Sequence, residues 1–295
     1  MKYTAILLAF ILIIMTLSGC NTQNSYDIVA TTLPVYEFTQ MLCDRTGLEV
    51  ARLITENISC IHDYTLKVDQ MRMLEQSQTI IISGADFEDF LSDVIQDEHN
   101  IIDSSYNITL LASNGYHEHN HEHGHENDHD AWDPHIWLSP ANARIMAENI
   151  CAGLIKEFPE FKTTFEENLI LIQSRFDELN VYAEESLNAL STREIITFHD
   201  GFIYMADAFS IEILHAIEEE SGSEASAAEL IELISIVNDH NLSALFTECN
   251  GSSSAATIIA NEVNCTIYTL DMALSGDSYF DAMYHNIDTL KEALK

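Results

Sequence analysis

The sequence predicts an α/β fold of two lobes, each with a roughly four-stranded parallel sheet flanked by helices, joined by one long rigid helix. Three observations predict it. Short β-rich runs alternate with helical stretches from Tyr26 onward, the pattern of sheets covered by crossover helices. A stretch without Gly or Pro then carries Phe165, Leu169, Ile172, Phe176 and Leu179 at helical spacing. Strand–helix alternation restarts after it, giving four strand candidates on either side.

In order, Asp27–Thr32 reads as the first strand, and Pro34 can open the helix behind it. Leu48–Ile54 is a second strand, followed by a loop holding His62 and a helix over about Val68–Glu75. The run Thr79-Ile-Ile-Ile-Ser83, ended by Gly84, suits a buried parallel strand. Phe87, Phe90, Leu91, Val94 and Ile95 give a helical stripe, and Asn107–Ala112 is the fourth strand candidate. Ser139 and Pro140 start a helix reaching about Phe158. These elements form a first lobe over 26–158. The linking helix takes 159–190, and 191–295 is the second lobe. There, strands over Glu194–Phe198, Ile211–Ile217, Ser243–Thr247 and Thr266–Leu270 alternate with helices over 223–240 and 251–263, and 279–294 closes the chain.

Residues 1–19 read as a signal peptide, with Lys2, a short apolar run and Leu17-Ser18-Gly19 before Cys20. Leu-Ser-Gly-Cys resembles a bacterial lipobox, which makes Cys20 a lipidated N-terminus, 20–25 a tether, and the mature chain lipid-anchored outside the cytoplasmic membrane. The net charge of −36 excludes nucleic acid, whose phosphates demand Lys and Arg. The remaining cysteines lie where disulfides can form. Cys249 with Cys265, and Cys43 with Cys60, are spaced for pairing, which sequence alone does not fix. No Cys-x-x-Cys supports a structural zinc site.

Residues 116–132 hold a His-rich loop in which His117, His119, His121, His123, His125 and His129 alternate with acidic and small residues. Such a tract reads as an auxiliary metal-binding loop. Four other residues stand out by position. His62 lies beyond the second strand, and His135 opens the helix after the His-rich loop. His199 and Asp271 directly follow strands of the second lobe. Parallel sheets bind ligands at the carboxyl ends of their strands. Two residues from each lobe could therefore meet in the cleft, where three imidazoles and a carboxylate complete a tetrahedral zinc site.

Several motifs carry a more specific resemblance: Asp133-Pro134-His135-Ile136-Trp137, then Phe198-His199-Asp200-Gly201-Phe202-x-Tyr204. Phe246-Thr247-Glu248, Leu270-Asp271 and Tyr284-x-Asn286-x-x-x-Leu290 follow in order. With them, the mature chain resembles the zinc-binding lipoproteins that feed ABC-type metal importers, the ZnuA/AdcA-like group of cluster A-I solute-binding proteins. The resemblance implies metal bound between two lobes bridged by a rigid helix, with His62, His135, His199 and Asp271 as ligands. It implies a monomeric receptor that captures Zn2+ and delivers it to an ABC-type metal permease. A Glu in place of His199 would point to manganese; the imidazole favours zinc. The first ligand departs from the family's D-P-H. It stands in Cys60-Ile61-His62-Asp63-Tyr64, where Cys60 or Asp63 could assist or substitute. Three alternatives are a manganese or iron receptor on the same scaffold, a metal-binding adhesin, and a zinc hydrolase. The hydrolase would need an open coordination position and a base, and no H-E-x-x-H occurs.

Overall fold

The computed structural model describes residues 26–58, 64–92, 94–95, 99–113, 132–216, 226–251 and 253–295. The first sheet holds β1 (Ile28–Ala30), β2 (Val50–Arg52), β3 (Thr79–Ile82) and β4 (Asn100–Asp103). The second holds β5 (Glu194–Thr197), β6 (Glu212–Ala216), β7 (Ala244–Glu248) and β8 (Thr266–Leu270). Every pairing is parallel, and the two sheets share one plan: β2-β1-β3-β4 and β6-β5-β7-β8. Each sheet therefore reverses its winding direction once, between β1 and β3 and between β5 and β7. At such a reversal the loops leave in opposite directions and open a crevice at the strand ends.

The helices are α1 (Leu33–Leu42), α2 (Val68–Gln76), α3 (Pro140–Glu157), α4 (Lys162–Leu187), α5 (Ile203–Phe209), α6 (Ala227–His240), α7 (Ser254–Val263) and α8 (Tyr279–Ala293). Ser139 caps α3, its Oγ accepting from the Asn142 N–H at 3.4 Å, and Pro140 occupies the first turn. The predicted 159–190 helix is a three-residue 3-10 turn at Pro159–Phe161 followed by the 26 residues of α4, about 39 Å long at 1.5 Å per residue. Its buried stripe of Phe165, Ile172, Phe176 and Leu179 follows the helical period. Phe176 meets Phe38 of α1 at 5.6 Å and Phe280 of α8 at 5.0 Å, so α4 packs on both lobes through one aromatic cluster. Glu37 of α1 accepts from the Tyr279 N–H and Ser278 Oγ at the start of α8 and pairs with Arg175 of α4 at 3.3 Å. The largest buried apolar cluster is continuous, running from Ile28 through Phe176 to Leu294. A smaller one, centred on Ile196, Leu233, Leu245 and Ile259, lies on the face of the second sheet opposite to Ile195 and Phe246.

Two expectations are corrected. The fourth strand is Asn100–Asp103, not Asn107–Ala112. Asn107 adopts φ +61°, in the left-handed region, which breaks an extended run. Among its described residues, the stripe over Phe87–Ile95 forms only a 3-10 turn at Asp89–Leu91. Ala85 and Asp86 take positive φ, and Glu88 turns inward to bind the end of β3. Its carboxylate accepts from Thr31 Oγ1 at 2.6 Å, Ser83 N at 2.7 Å and Gly84 N at 3.1 Å. That turn brings Phe87 to 5.5 Å from the His135 ring and 4.6 Å from Trp137.

Burial raises the Glu88 carboxyl from 4.5 to about 6 against the opposing pull of these hydrogen bonds. A raised carboxyl contributes stability that is full below its unfolded pKa and lost as pH rises through the folded one. A shift of this size is worth about 2 kcal/mol. Between pH ~4.5 and ~7 the wild type should therefore lose about that much relative to Glu88→Gln, by denaturant unfolding of the zinc-free proteins. Parallel pH profiles for the two would contradict it.

Candidate metal centre

His135 and His199 face each other across the lobes, ring centroids 5.4 Å apart. His135 does not open α3 directly; it precedes a 3-10 turn at Ile136–Leu138, and α3 begins at Pro140. The turn seats Trp137 and His135 edge-on at 5.4 Å, with Phe87 5.5 Å from the imidazole. Asp133 fixes the ring. Its buried Oδ1 accepts the His135 backbone N–H at 2.7 Å and lies 2.9 Å from Nδ1. A carboxylate can only accept, so Nδ1 carries the hydrogen, and in the neutral ring the lone pair is then on Nε2. That Nε2 is buried with no hydrogen-bond partner among the described residues. Burying a ring nitrogen without a partner costs free energy, which a bound cation would recover.

His199 follows β5 with extended backbone (φ −164°, ψ 140°), carried out from the sheet reversal. Its Nδ1 lies 3.8 Å from Oε2 of Glu248, the buried last residue of β7. Gly201 lies beneath the first imidazole. A Cβ there would stand 2.9 Å from His135 Nδ1 and Cε1 and 2.5 Å from Met272 Cε, so any side chain would displace the His135 ring or its neighbours. Asp271 directly follows β8, half-buried. Its backbone is held by Asn286, whose Oδ1 accepts from Asp271 N at 2.7 Å and whose amide donates back to Asp271 O at 2.8 Å. Burial raises the Asp271 carboxyl, opposed by the Ala273 N–H, which donates to Oδ1 at 2.7 Å, and by His285.

Other residues in and around the motifs fasten the lobes together. Tyr204 OH donates to Asp133 O at 2.9 Å and accepts from Leu111 N at 3.0 Å; burial pushes its phenol up to about 12, so it remains a donor. Trp137 Nε1 donates to Met272 O at 2.8 Å, and Tyr279 OH to Trp137 O at 2.9 Å. Ser113 Oγ donates to Asp200 at 2.9 Å.

The structure thus brings His135 and His199 together and puts Asp271 next to Met272, which shares the Gly201 contact. Among the described residues no group of three or more His, Cys, Asp or Glu is arranged to hold a metal ion. His62, with Cys60 and Asp63, lies outside the described residues, as do Cys20 and the loop histidines His117, His119, His121, His123, His125 and His129. The Cys249–Cys265 pairing is corrected: both are free thiols. β7 and β8 run parallel in the register Ala244↔Thr266 to Glu248↔Leu270. Cys249 therefore sits past the end of one strand and Cys265 before the start of the other, about 20 Å apart at strand rise, far beyond disulfide reach. Asp133, Glu248 and Tyr204 were visible only as motif letters, since their roles depend on contacts with residues distant in the chain or on the sheet register.

The chain is 27% identical to the high-affinity zinc uptake system protein ZnuA of Bacillus subtilis, over 98% of this chain and 96% of that one. It is equally similar, at 27%, to the zinc-binding lipoprotein AdcA of Streptococcus pneumoniae, covering 99% of this chain but 61% of AdcA. The crystal structure of the Zn(II)-bound ZnuA-like domain of S. pneumoniae AdcA superposes with a TM-score of 0.74 at 25% identity, covering 92% of this chain and 99% of that domain. The family model for the periplasmic zinc-uptake complex component A, ZnuA, matches residues 28–293, and the chain belongs to that family.

Proposed function

We propose that the chain is an extracytoplasmic receptor that binds Zn2+ in the cleft between its lobes and hands it to an ABC-type permease. The observation that carries this reading is the pair of facing imidazoles from opposite lobes, one with its Nε2 buried and unpartnered among the described residues. Neutral imidazole is a preferred zinc donor. His135, His199, Asp271 and His62 are the proposed ligands, with Cys60 and Asp63 the neighbouring donors at the first position. Four protein ligands close the coordination sphere, an arrangement for carriage rather than turnover. The imidazole at position 199 favours zinc over manganese or iron. The chain would act as a monomer, held to the membrane by lipid on Cys20, which intact mass of the mature protein would reveal as added acyl weight.

The histidines between His117 and His129 supply a second, weaker metal phase, because ordering a polar loop on binding costs affinity. Calorimetric titration of chelator-stripped protein with zinc should resolve one tight site and at least one weaker one. Deleting residues 117–129 should abolish only the weaker phase. Loss of the tight phase in that deletion would refute the assignment of the cleft as the principal site.

A further inference from the structure

We propose that Glu248 is the positioning carboxylate of His199, holding its ring with Nδ1–H toward β7 and Nε2 toward the cleft. The inference rests on the reading of His199 as a zinc ligand and adds a residue that governs its affinity. Four observations support it. First, the topology brings the two residues to the same level. β5 and β7 pair with Thr197 opposite Phe246, and His199 and Glu248 each lie two residues further on, one pleat repeat beyond that pair. Second, Glu248 Oε2 lies 3.8 Å from His199 Nδ1. Third, the Glu248 side chain is 6% exposed, so its approach to the imidazole is shielded from bulk water, which strengthens the electrostatic contact. Fourth, the chain closes down on it. A Cβ at Gly251 would lie 2.4 Å from Glu248 Cγ and 2.6 Å from Oε1, so the missing side chain lets the loop confine the carboxylate where it stands.

The first lobe shows the finished form of this arrangement, with Asp133 Oδ1 at 2.9 Å from His135 Nδ1. The Glu248 contact is longer by about 1 Å, as polar contacts in unliganded sites often are before they tighten. A cation on His199 Nε2 makes Nδ1–H a stronger donor, which would draw it onto Glu248 and raise the basicity of the ligating nitrogen. The two lobes would then present the metal with equivalent carboxylate–imidazole pairs, one from each side of the cleft.

The test uses the full mature chain, zinc titration, and the ring 15N spectrum of His199, assigned with His199→Gln. At about pH 8, above the reference imidazole pKa of ~6.5, the neutral tautomers are resolved. Glu248→Ala should weaken zinc binding by roughly 10- to 100-fold, the usual cost of removing such a partner. It should also shift His199 away from the Nδ1–H tautomer. Glu248→Gln, which keeps the shape and one acceptor oxygen, should recover part of both. Wild-type affinity with an unchanged tautomer in Glu248→Ala would overturn the proposal. So would weakened binding with an unchanged tautomer, which would mean a packing role, or loss of an oxygen scatterer from the zinc X-ray absorption spectrum, which would mean direct ligation. Failure of the underlying reading would look different: His199→Ala itself would then bind zinc as the wild type does.

Discussion

Replacing His199 with Ala is expected to weaken the tight zinc site by more than 100-fold, since loss of an outer partner alone costs 10- to 100-fold. The ring is presented by extended backbone at the end of β5, 5.4 Å from the opposing imidazole, and Ala leaves nothing from the second lobe's central strand to reach the cation. The pH dependence should change with it. Zinc requires neutral imidazole, so protons compete with metal, and wild-type affinity should fall steeply from about pH 7 to about pH 5, around the reference pKa of ~6.5. Removing one proton-competing ligand flattens that slope. His199→Glu should keep some binding and move the zinc-to-manganese preference toward manganese, because carboxylate is the harder donor. Competitive titration with a chromophoric chelator at several pH values measures all three. A His199→Ala protein with wild-type affinity and slope would mean that the cleft site is built from other residues.

Trp137→Ala is expected to produce the largest loss of stability among single substitutions near the site. The side chain is fully buried, meets Phe87 at 4.6 Å, and donates to Met272 O across the lobes. Truncating a buried Trp costs about 3–5 kcal/mol, and the carbonyl of Met272 loses its donor. At ~2–4 °C per kcal/mol for chains of about this size, the zinc-free protein should melt ~10 °C lower. Zinc affinity should fall as well, because the indole edge packs on His135 and its partner carbonyl is adjacent to Asp271. Trp137→Phe keeps most of the packing and should lose only ~1–2 kcal/mol, the worth of the N–H. Equal melting temperatures for wild type and Trp137→Ala, read by circular dichroism, would show that the interlobe contact carries no stability.

Much of the fold was legible because its signals are local. Thr79–Ile82 announces a buried strand by composition, and the Phe165–Leu179 stripe announces α4 by period. The failures occurred where tertiary contacts override local pattern. Ile108 and Thr109 look like strand residues, yet the chain enters that stretch through a left-handed Asn107 and offers Leu111 N to Tyr204 instead. Phe87–Ile95 has helical spacing, but Glu88 is worth more as an acceptor for Thr31, Ser83 and Gly84 than as a helix residue. Cysteine spacing misled because it ignores strand direction, which puts Cys249 and Cys265 at opposite ends of a parallel pair. The site divides the same way. His135, His199 and Asp271 could be picked out because each follows a strand or loop boundary and belongs to a motif. Asp133 and Glu248 could not, since the chain has 48 acidic residues and nothing in one dimension says which of them stand behind an imidazole.

The continuous apolar cluster that runs from Ile28 through α4 to Leu294 bears on how the chain comes apart. Two sheets of identical strand order invite the picture of two modules on a spacer, each able to melt by itself. A core held in common removes that option: exposing the first sheet strips Phe38 from Phe176 and Phe280, so the loss is felt at once in the second. Unfolding is then expected to be a single cooperative event for most of the molecule, with the smaller cluster around Leu233 and Ile259 free to loosen ahead of it. A cation binding only the native state would raise the threshold for the whole chain rather than for one half of it.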